Sequence, residues 1–277
     1  MSREGAGWQE STNQRNQNDS GGRRGIADDV PWGDPLQRRD EGAELIGFLN
    51  RNGIRMERCE GGRCDCGDCK IRGFMKENDF SIFGHEETNV NWSAIPAENR
   101  LHERTRTWFQ RQKQVSANNV HGVRDRHQYG GVSQWSVNSA TCRANDSGQD
   151  ARKLGRWVHT RYRGRNGVNL RVVTAYRPCR NTGSVGSVWS QQKTYFDEQE
   201  PPIVGCPRDI FDAELCEQLQ AWSDAGEQIV LGLDVNENVR SERENSFTRK
   251  MEDCGLLELI TTPVSYTHLT LPTICSV

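Results

Sequence analysis

Short apolar runs that end in polar turns recur along this chain from residue 45 onward. The first run, residues 45–49, stops at an asparagine- and glycine-containing turn, which is typical of a buried strand. The same pattern predicts further strands over residues 79–84, 132–137, 156–162, 169–176 and 228–233. Residues 163–167 contain two glycines and are predicted to form a hairpin turn between the strands 156–162 and 169–176.

Two longer segments are predicted to be helical, and residues 71–78 to be the end of a third helix. Residues 209–225 have apolar side chains at helical intervals, namely Ile210, Phe211, Leu215, Leu219 and Trp222. Gly226 then ends that segment. Residues 98–114 are rich in arginine and carry Trp108 and Phe109 as their expected buried side.

The order of these elements predicts the architecture. Strands without intervening helices occupy the middle of the chain, whereas strands and helices alternate toward both ends. Because each apolar sheet face must be covered by another layer, this order favours sheets packed face to face and covered by helices. The sequence therefore predicts an α+β protein.

The first 40 residues differ from the rest of the chain. They consist mainly of Gly, Ser, Asn, Gln, Asp and Arg without helical or strand periodicity, so we expect residues 1–40 to be disordered. No stretch approaches the roughly 18 apolar residues of a spanning helix, and no apolar signal segment occurs near the N-terminus. We therefore expect no membrane partner and an intracellular protein, with a nuclear location as one option.

Composition adds two constraints. The 36 basic and 38 acidic residues give a net charge of −2, so only local clusters could indicate a nucleic-acid partner. Ten cysteines in a chain without an export signal are expected to be reduced thiols. Four of them lie within eleven residues and leave zinc binding open, although their spacing favours a cysteine-bearing loop: Cys59, Cys64, Cys66 and Cys69.

Polar residues follow three of the predicted strands. The pairs are Asn50 with Asn52, Glu87 with Asn89, and Asp234 with Asn236. Each pair alone is more often a simple turn. Carboxylate and amide oxygens gathered at one edge of a sheet sandwich would nevertheless suit Mg²⁺, which keeps coordination positions for water and phosphate.

Five short motifs follow one another within residues 44–262. They are LNRNGI from Leu49, GHEETN from Gly84, YGG from Tyr129, VTAYRP from Val173 and GLDVNE from Gly232. Their combination and order resemble the endonuclease/exonuclease/phosphatase superfamily, which implies a four-layer α/β/β/α sandwich. The residues around Glu87, with the Trp222 helix, look most like the endonucleases of LINE-type retrotransposons.

The resemblance also implies roles for individual residues. Glu87 is similar to the metal-binding glutamate of the family, and Asn50 to the asparagine that supports the metal and phosphate site. Tyr176 would hydrogen-bond the scissile phosphate. Asp234 would orient or deprotonate the attacking water, and Asn236 would hold Asp234 and a phosphate oxygen. Mg²⁺ is the implied cofactor, with Mn²⁺ as an alternative.

Two substitutions depart from the family pattern. Asn52 stands where many relatives carry an acidic residue, which puts a ligand role for it in doubt. Cys179 stands where many carry an asparagine, and a thiol is a weaker hydrogen-bonding group that leaves one phosphate contact unexplained.

The end of the chain departs further. The family closes its fold with a Ser-Asp-His type motif, whereas residues 264–277 resemble a translated sequencing adapter. We expect this tail to be non-native and the domain, residues 44–262, to be incomplete at its C-terminal end. We also expect His268 not to replace the missing histidine, and the chain as printed to be inactive and poorly folded.

Two basic stretches are candidate contacts to DNA. Arg104 and Arg111 lie in the first, residues 98–114, and Arg163 in the second, residues 152–165. Each neutralised phosphate would add salt-dependent affinity, although a solvated face explains such charge runs equally well.

These observations predict a Mg²⁺-dependent phosphodiesterase that acts on DNA, as the endonuclease part of a retroelement polyprotein. It would be fused to or encoded with a reverse transcriptase. The alternative is a non-catalytic binding module or decayed gene copy of the same fold, favoured by Asn52, Cys179 and the missing histidine motif. A phospholipid or inositol-phosphate phosphatase is a third hypothesis, which the basic helix and the retroelement-like spacing make less favourable.

Overall fold

A computed structural model describes residues 43–50, 52–54, 67–122, 125–180, 184–237, 247–258 and 273–276. All of them belong to one compact unit, residues 38–277. The strands are β1 (Ile46–Asn50), β2 (Ile82–Glu86), β3 (Gln112–Ala117), β4 (Val132–Val137), β5 (Ala144–Gln149), β6 (Trp157–Arg163), β7 (Asn169–Tyr176), β8 (Gln228–Asp234), β9 (Leu257–Glu258) and β10 (Thr273–Ser276). The α-helices are α1 (Gly67–Glu77), α2 (Leu101–Thr105), α3 (Ser139–Arg143), α4 (Val188–Asp197), α5 (Pro207–Asp224) and α6 (Phe247–Asp253). Short 3-10 turns cover Trp92–Ala94, Ala97–Asn99 and Arg165–Gly167.

The described strands form two sheets. The first has the order β1-β2-β4-β3, with β1 and β2 parallel and β4 antiparallel to both of its neighbours. The second has the order β5-β6-β7-β8-β10-β9. Its first three strands are antiparallel, whereas β8 runs parallel to β7 and to β10. The prediction that strands without intervening helices lie in the middle of the chain is confirmed by β6 and β7, which pair antiparallel.

Strand alternation sorts the apolar side chains into three layers of core. Between the sheets, Ile82 of the first sheet packs with Val172 of the second. On the outer face of the first sheet, Met75 of α1 packs with Phe83 and Trp135. On the outer face of the second sheet, apolar residues of α5 and α6 pack on those of β7 and β8, namely Phe211, Leu215, Leu219, Met251, Val173, Leu231 and Leu233. The architecture is therefore the predicted α/β/β/α sandwich.

The ring of Phe48 in β1 lies between the two sheets, against glycines of both. A Cβ atom at Gly232 of β8 would overlap this ring, and one at Gly84 of β2 would overlap both the ring and the Thr174 hydroxyl of β7. Glycine at these two positions thus makes room for one aromatic ring between the sheets.

The predicted helix over residues 98–114 is wrong for most of its length. The chain forms α2 over only five residues, and Gln112–Ala117 is the edge strand β3, which pairs with β4. Edge strands carry polar residues on the side that faces water, so the sequence QKQVSA lacks the apolar run by which a strand was recognised. The edge strand β5, with the sequence ANDSGQ, escaped prediction for the same reason.

Both ends of the chain fall largely outside the described residues. The predicted disordered segment, residues 1–40, lies entirely outside them. Of the predicted adapter-derived tail, only residues 273–276 are described, as β10 beside β8. The origin of that tail stays a prediction. None of the described helices combines the length and apolar character needed to cross a membrane.

Substitution of Gly232 by alanine is expected to destabilise the protein by about 2 kcal/mol, because the new methyl group meets the Phe48 ring in a filled core. Urea denaturation measures the change. Adding Phe48→Leu should recover part of the loss. The matched control is Gly73→Ala in α1, where the methyl group has space and stability should be unchanged or higher. An equal loss in the control would contradict the explanation.

His159 in β6 makes stability dependent on pH. Its ring packs against Trp222 at 4.7 Å, and its Nδ1 accepts a hydrogen bond from Arg171 at 2.8 Å. Burial, followed by the charge of Arg171, lowers the pKa of His159 to about 4. Between pH 6.5 and 4 the unfolded chain therefore binds the proton more readily than the folded one. Stability should fall over this range by on the order of 2 kcal/mol, and His159→Gln should remove that part of the pH dependence in thermal melts.

Candidate active site

The ends of four strands meet at one edge of the sandwich. Asn50 ends β1 and is the register partner of Glu86 at the end of β2. Tyr176 ends β7 and is the register partner of Asp234 at the end of β8. Asn50 shares the inner face of its sheet with Phe48, and Asp234 shares that of the other sheet with Gly232, because side chains alternate along a strand. Strand parity therefore points polar groups from both sheets toward each other.

The Asn50 side chain connects the two halves of this strand-end cluster. Its Oδ1 accepts a hydrogen bond from the Asn52 backbone N–H at 2.8 Å, which turns the amide nitrogen toward the carboxylates. Its Nδ2 donates to Glu87 Oε2 at 3.0 Å and to Asp234 Oδ2 at 2.5 Å. The Asn50 amide thus lies between two carboxylates. Glu87 follows β2 of the first sheet, and Asp234 ends β8 of the second.

Tyr176 contacts the same glutamate from the second sheet. Its hydroxyl donates to Glu87 Oε1 at 3.3 Å and lies 3.7 Å from Cys179 Sγ. Burial, followed by the negative charge of Glu87, raises the pKa of Tyr176. The phenol therefore stays protonated and can act as a hydrogen-bond donor.

Asn236 holds the loop after β8 in position. Its backbone N–H donates to Asp234 Oδ1 at 3.1 Å, and its side-chain Nδ2 donates to the Arg177 carbonyl at 2.8 Å. The thiol of Cys179 donates to Asn236 Oδ1 at 2.9 Å. The Cys179 side chain is exposed, and its thiol orients the Asn236 side chain.

Glu86 was not recognised from the sequence. It is fully buried on the inner side of β2, and burial together with the negative charge of Asp234 raises its pKa to about 8. The two consecutive glutamates were the available signal, because Glu86 is the last residue of β2 and keeps its side chain on a face of the sheet, whereas Glu87 belongs to the turn that follows.

Four residues around the cluster have left-handed backbone conformations: Asn52 (φ 50°), Glu87 (φ 54°), Asn89 (φ 55°) and Asn236 (φ 50°). Asparagine tolerates this region, whereas it is uncommon for glutamate. The Asn89 side chain supports the turn, since its Oδ1 accepts from the Gly130 N–H at 2.8 Å and its Nδ2 donates to Asn52 Oδ1 at 3.2 Å. Backbone strain is thus concentrated where the side chains converge.

The donor set of the cluster fits a hard divalent cation. The carboxylate oxygens of Glu87 and Asp234 are ligands of the kind that Mg²⁺ prefers. The Asn50 amide presents its nitrogen to both carboxylates and its oxygen to the Asn52 N–H. Within the described residues no group of three or more His, Cys, Asp or Glu side chains could enclose a metal ion. Two carboxylates with nearby amides match an ion that retains much of its water. The alternative zinc site cannot be placed, since Cys59, Cys64 and Cys66 lie outside the described residues.

The structure brings Asn50, Glu87, Tyr176, Asp234 and Asn236 together, as the sequence predicted for their positions. Their roles in catalysis stay predictions. Asn52 lies at the exposed margin of the cluster, where its side chain contacts Asn89.

The three arginines predicted to contact nucleic acid do not join this cluster. For Arg104 the prediction is wrong, because its side chain is 1% exposed and forms an ion pair with Asp68 at 2.5 Å between α2 and α1. Arg163 is exposed but pairs with Asn169 at the far end of β7, seven residues and roughly 20 Å from Tyr176. Arg111 is also exposed and precedes β3 at the end of the first sheet that lies away from Glu86.

Comparison with known proteins gives only distant likenesses. No protein-family model and no curated protein matches the chain. The structure of the human Nocturnin catalytic domain with bound sulfate anion is similar at a TM-score of 0.42 and 12% identity, covering 71% of this chain and 68% of that one. An AP endonuclease from Archaeoglobus fulgidus is similar at a TM-score of 0.40 and 17% identity, covering 69% of this chain and 56% of that one.

An endonuclease/exonuclease/phosphatase from Beutenbergia cavernae is similar at a TM-score of 0.30 and 10% identity, covering 56% of this chain and 43% of that one. The match thus spans little more than half of the archaeal protein and less than half of the Beutenbergia one. Scores this low do not place the chain in a family. The functional argument therefore rests on the geometry of the strand-end cluster.

The bridging position of Asn50 leads to a stability prediction. Asn50→Asp would put a third carboxylate between Glu87 and Asp234 and should lower the free energy of unfolding by about 2 kcal/mol at pH 7 without divalent cation. Added Mg²⁺ should reverse the loss. The matched control, Asn52→Asp, keeps an acceptor for Asn89 and should have little effect. Urea denaturation with and without Mg²⁺ checks both, and equal effects of the two variants would contradict the geometry.

Proposed function

We propose that this protein is a divalent-cation-dependent phosphodiesterase of the endonuclease/exonuclease/phosphatase type that cuts DNA. The observation that supports this most strongly is the Asn50 amide between Glu87 and Asp234, with the Tyr176 hydroxyl on the other oxygen of Glu87. Two carboxylates, two amides and one protonated phenol, all at or next to strand ends, lie within a few ångströms of one another. Such a set provides both a cation site and neutral hydrogen-bond donors for a phosphate.

The residues divide the reaction between them. A bound Mg²⁺ would polarise a phosphoryl oxygen and offset the charge that develops on it. Glu87 and Asn50 would hold that ion. Asp234, fixed by the Asn236 N–H and the Asn50 amide, would orient the attacking water and accept its proton. The protonated Tyr176 would donate a hydrogen bond to a phosphate oxygen.

The nature of the substrate is inferred from the sequence motifs. The order of the five motifs and the residues around Glu87 resemble retroelement endonucleases, so we propose DNA as the substrate and a retroelement polyprotein, with a reverse transcriptase, as the setting. Arg111 and Arg163 remain candidate contacts to more distant parts of the DNA, because both side chains are exposed.

A second candidate is a non-catalytic binding module or decayed copy of the same fold. The contact that favours it is the hydrogen bond from Cys179 to Asn236, since a thiol stands where an asparagine would offer a phosphate a stronger donor. His268, the only histidine of the C-terminal tail, lies outside the described residues.

Glu87→Gln and Asp234→Asn are expected to weaken Mn²⁺ binding and to lower the rate of Mg²⁺-dependent nicking of supercoiled plasmid by roughly 100-fold or more. The physical reason is the loss of one of the two carboxylates at the cation site. Calorimetry measures the binding and gel electrophoresis the nicking, with chelator-treated protein as the metal-free reference.

The control is Glu98→Gln, an exposed glutamate on the 3-10 turn before α2, which should change neither readout. Nicking that survives in both cluster variants would contradict the proposal. Binding of Mn²⁺ and DNA by the wild-type chain without nicking would instead support the binding module.

A further inference from the structure

A cavity of about 680 Å³ opens beside the strand-end cluster. We call it the Arg180 cavity, and its principal walls are Arg177, Arg180, Trp189, Arg208, Glu237 and Lys250. It is contiguous with the candidate active site, because Arg177 and Glu237 directly follow Tyr176 and Asn236 in the chain. Arg208 donates to the Asn236 carbonyl at 3.2 Å and to the Pro178 carbonyl at 2.8 Å. The backbone that carries the site thus forms one wall of the cavity.

Among the described residues, the charges around the Arg180 cavity do not balance. Its four basic side chains stand against three described carboxylates, of Asp209, Asp212 and Glu237, which leaves a surplus of one positive charge within that set. Asp212 binds Arg177 through both oxygens at 2.7 Å and Lys250 at 2.7 Å. Glu237 binds Arg177 and, at 2.9 Å, Arg208.

Arg180 is the exposed cation of this wall. Among the described residues no carboxylate lies within ion-pair distance of it, so its guanidinium can bind an anion without first breaking a described ion pair. Burial, followed by the charge of Arg177, lowers the pKa of Arg208. This direction is the one expected where cations are crowded, and an anion in the cavity would relieve it.

Two further features of the walls suit a nucleotide. The 18-residue helix α5 begins at the cavity, since its N-cap residue Cys206 and its first-turn residue Asp209 both line it, and Cys206 makes no side-chain capping bond. Trp189 on α4 is half-buried and also lines the cavity, and none of the other described rings packs against it. A flat apolar surface therefore stands next to a cationic one.

We propose that the Arg180 cavity binds the nucleotide next to the scissile phosphodiester, with its phosphate on Arg180 and the start of α5 and its sugar against Trp189. The location of the scissile bond rests on the proposed function. The paired arginines Arg177 and Arg208 shape the floor of this subsite, while Arg180 supplies the contact to the phosphate.

The test uses the full chain and a fluorescent DNA duplex in buffer without divalent cation, so that only binding is measured. Arg180→Ala should lower the affinity about tenfold, the loss expected for one charge-assisted hydrogen bond, and should reduce the salt dependence of log affinity by about one phosphate. The control is Lys76→Ala, an exposed cation near the C-terminal end of α1, which leads into the start of β2 and not to the strand-end cluster. It should change the affinity much less.

A second arm identifies the contacted phosphate. A neutral methylphosphonate is placed at each position of the duplex in turn. At one position, the methylphosphonate should lower the affinity of the wild-type protein for the duplex about tenfold. It should leave the affinity of Arg180→Ala unchanged, because the variant has already lost that charge pair. The subsite is overturned if each methylphosphonate lowers the affinity of the wild type and of Arg180→Ala by the same factor, or if Lys76→Ala loses as much affinity as Arg180→Ala. Wild-type protein that does not bind the duplex overturns it as well.

Nicking with Mg²⁺ separates this inference from the proposed function. If the wild type nicks and Arg180→Ala has the same KM and the same affinity, the subsite is wrong and the phosphodiesterase stands. If the wild type does not nick but shows Arg180-dependent binding, the phosphodiesterase is wrong and the subsite stands. Inorganic phosphate that displaces the duplex equally well from the wild type and from Arg180→Ala also counts against the subsite.

Discussion

The distance between the two sheets controls the geometry of the candidate site. Asn50 ends β1 and Glu87 follows β2 in the first sheet, whereas Tyr176 and Asp234 end strands of the second. Neither sheet alone therefore carries a complete cluster. The ring of Phe48, lodged against Gly84 and Gly232, sets that distance a few residues from the strand ends. This apolar contact of Phe48 therefore determines whether the Asn50 amide can reach both Glu87 and Asp234.

Most of the buried arginines in the described part of the chain form ion pairs with carboxylates. Arg171 binds Glu227 through two bonds at 2.7 and 2.9 Å, and Arg156 lies within 3.3 Å of Asp150 and 2.6 Å of Glu214. Such pairs add little net stability once desolvation is included, but removing one partner is costly. The pair of Arg156 with Glu214 holds α5 against the second sheet. Arg177, in the same kind of pair, is thereby held immobile beside Tyr176.

Much of the site could be predicted from the sequence, because a polar residue after an apolar run marks a strand end, and parallel strand ends meet at one edge of a sheet. Asn50, Glu87 and Asp234 were found in this way. The edge strands β3 and β5 were missed, since their polar sequences lack that run. The arginines were misjudged for another reason. A run of basic residues does not show which of them forms a buried ion pair, as Arg104 does with Asp68. Nor does it show at which end of the sheet the turn between Arg163 and Asn169 lies.

The left-handed conformation of Glu87 has a consequence for how this chain can change over time. Glycine would adopt φ 54° without the steric cost, which is on the order of 1 kcal/mol for a residue with a Cβ atom, but glycine has no carboxylate. Stability and chemistry therefore favour different residues at this position. Under the proposed function, selection for activity keeps the glutamate against that cost, whereas without such selection a change to glycine at this position would make the fold more stable. The identity of residue 87 in a related sequence would then indicate whether that sequence was kept for its chemistry.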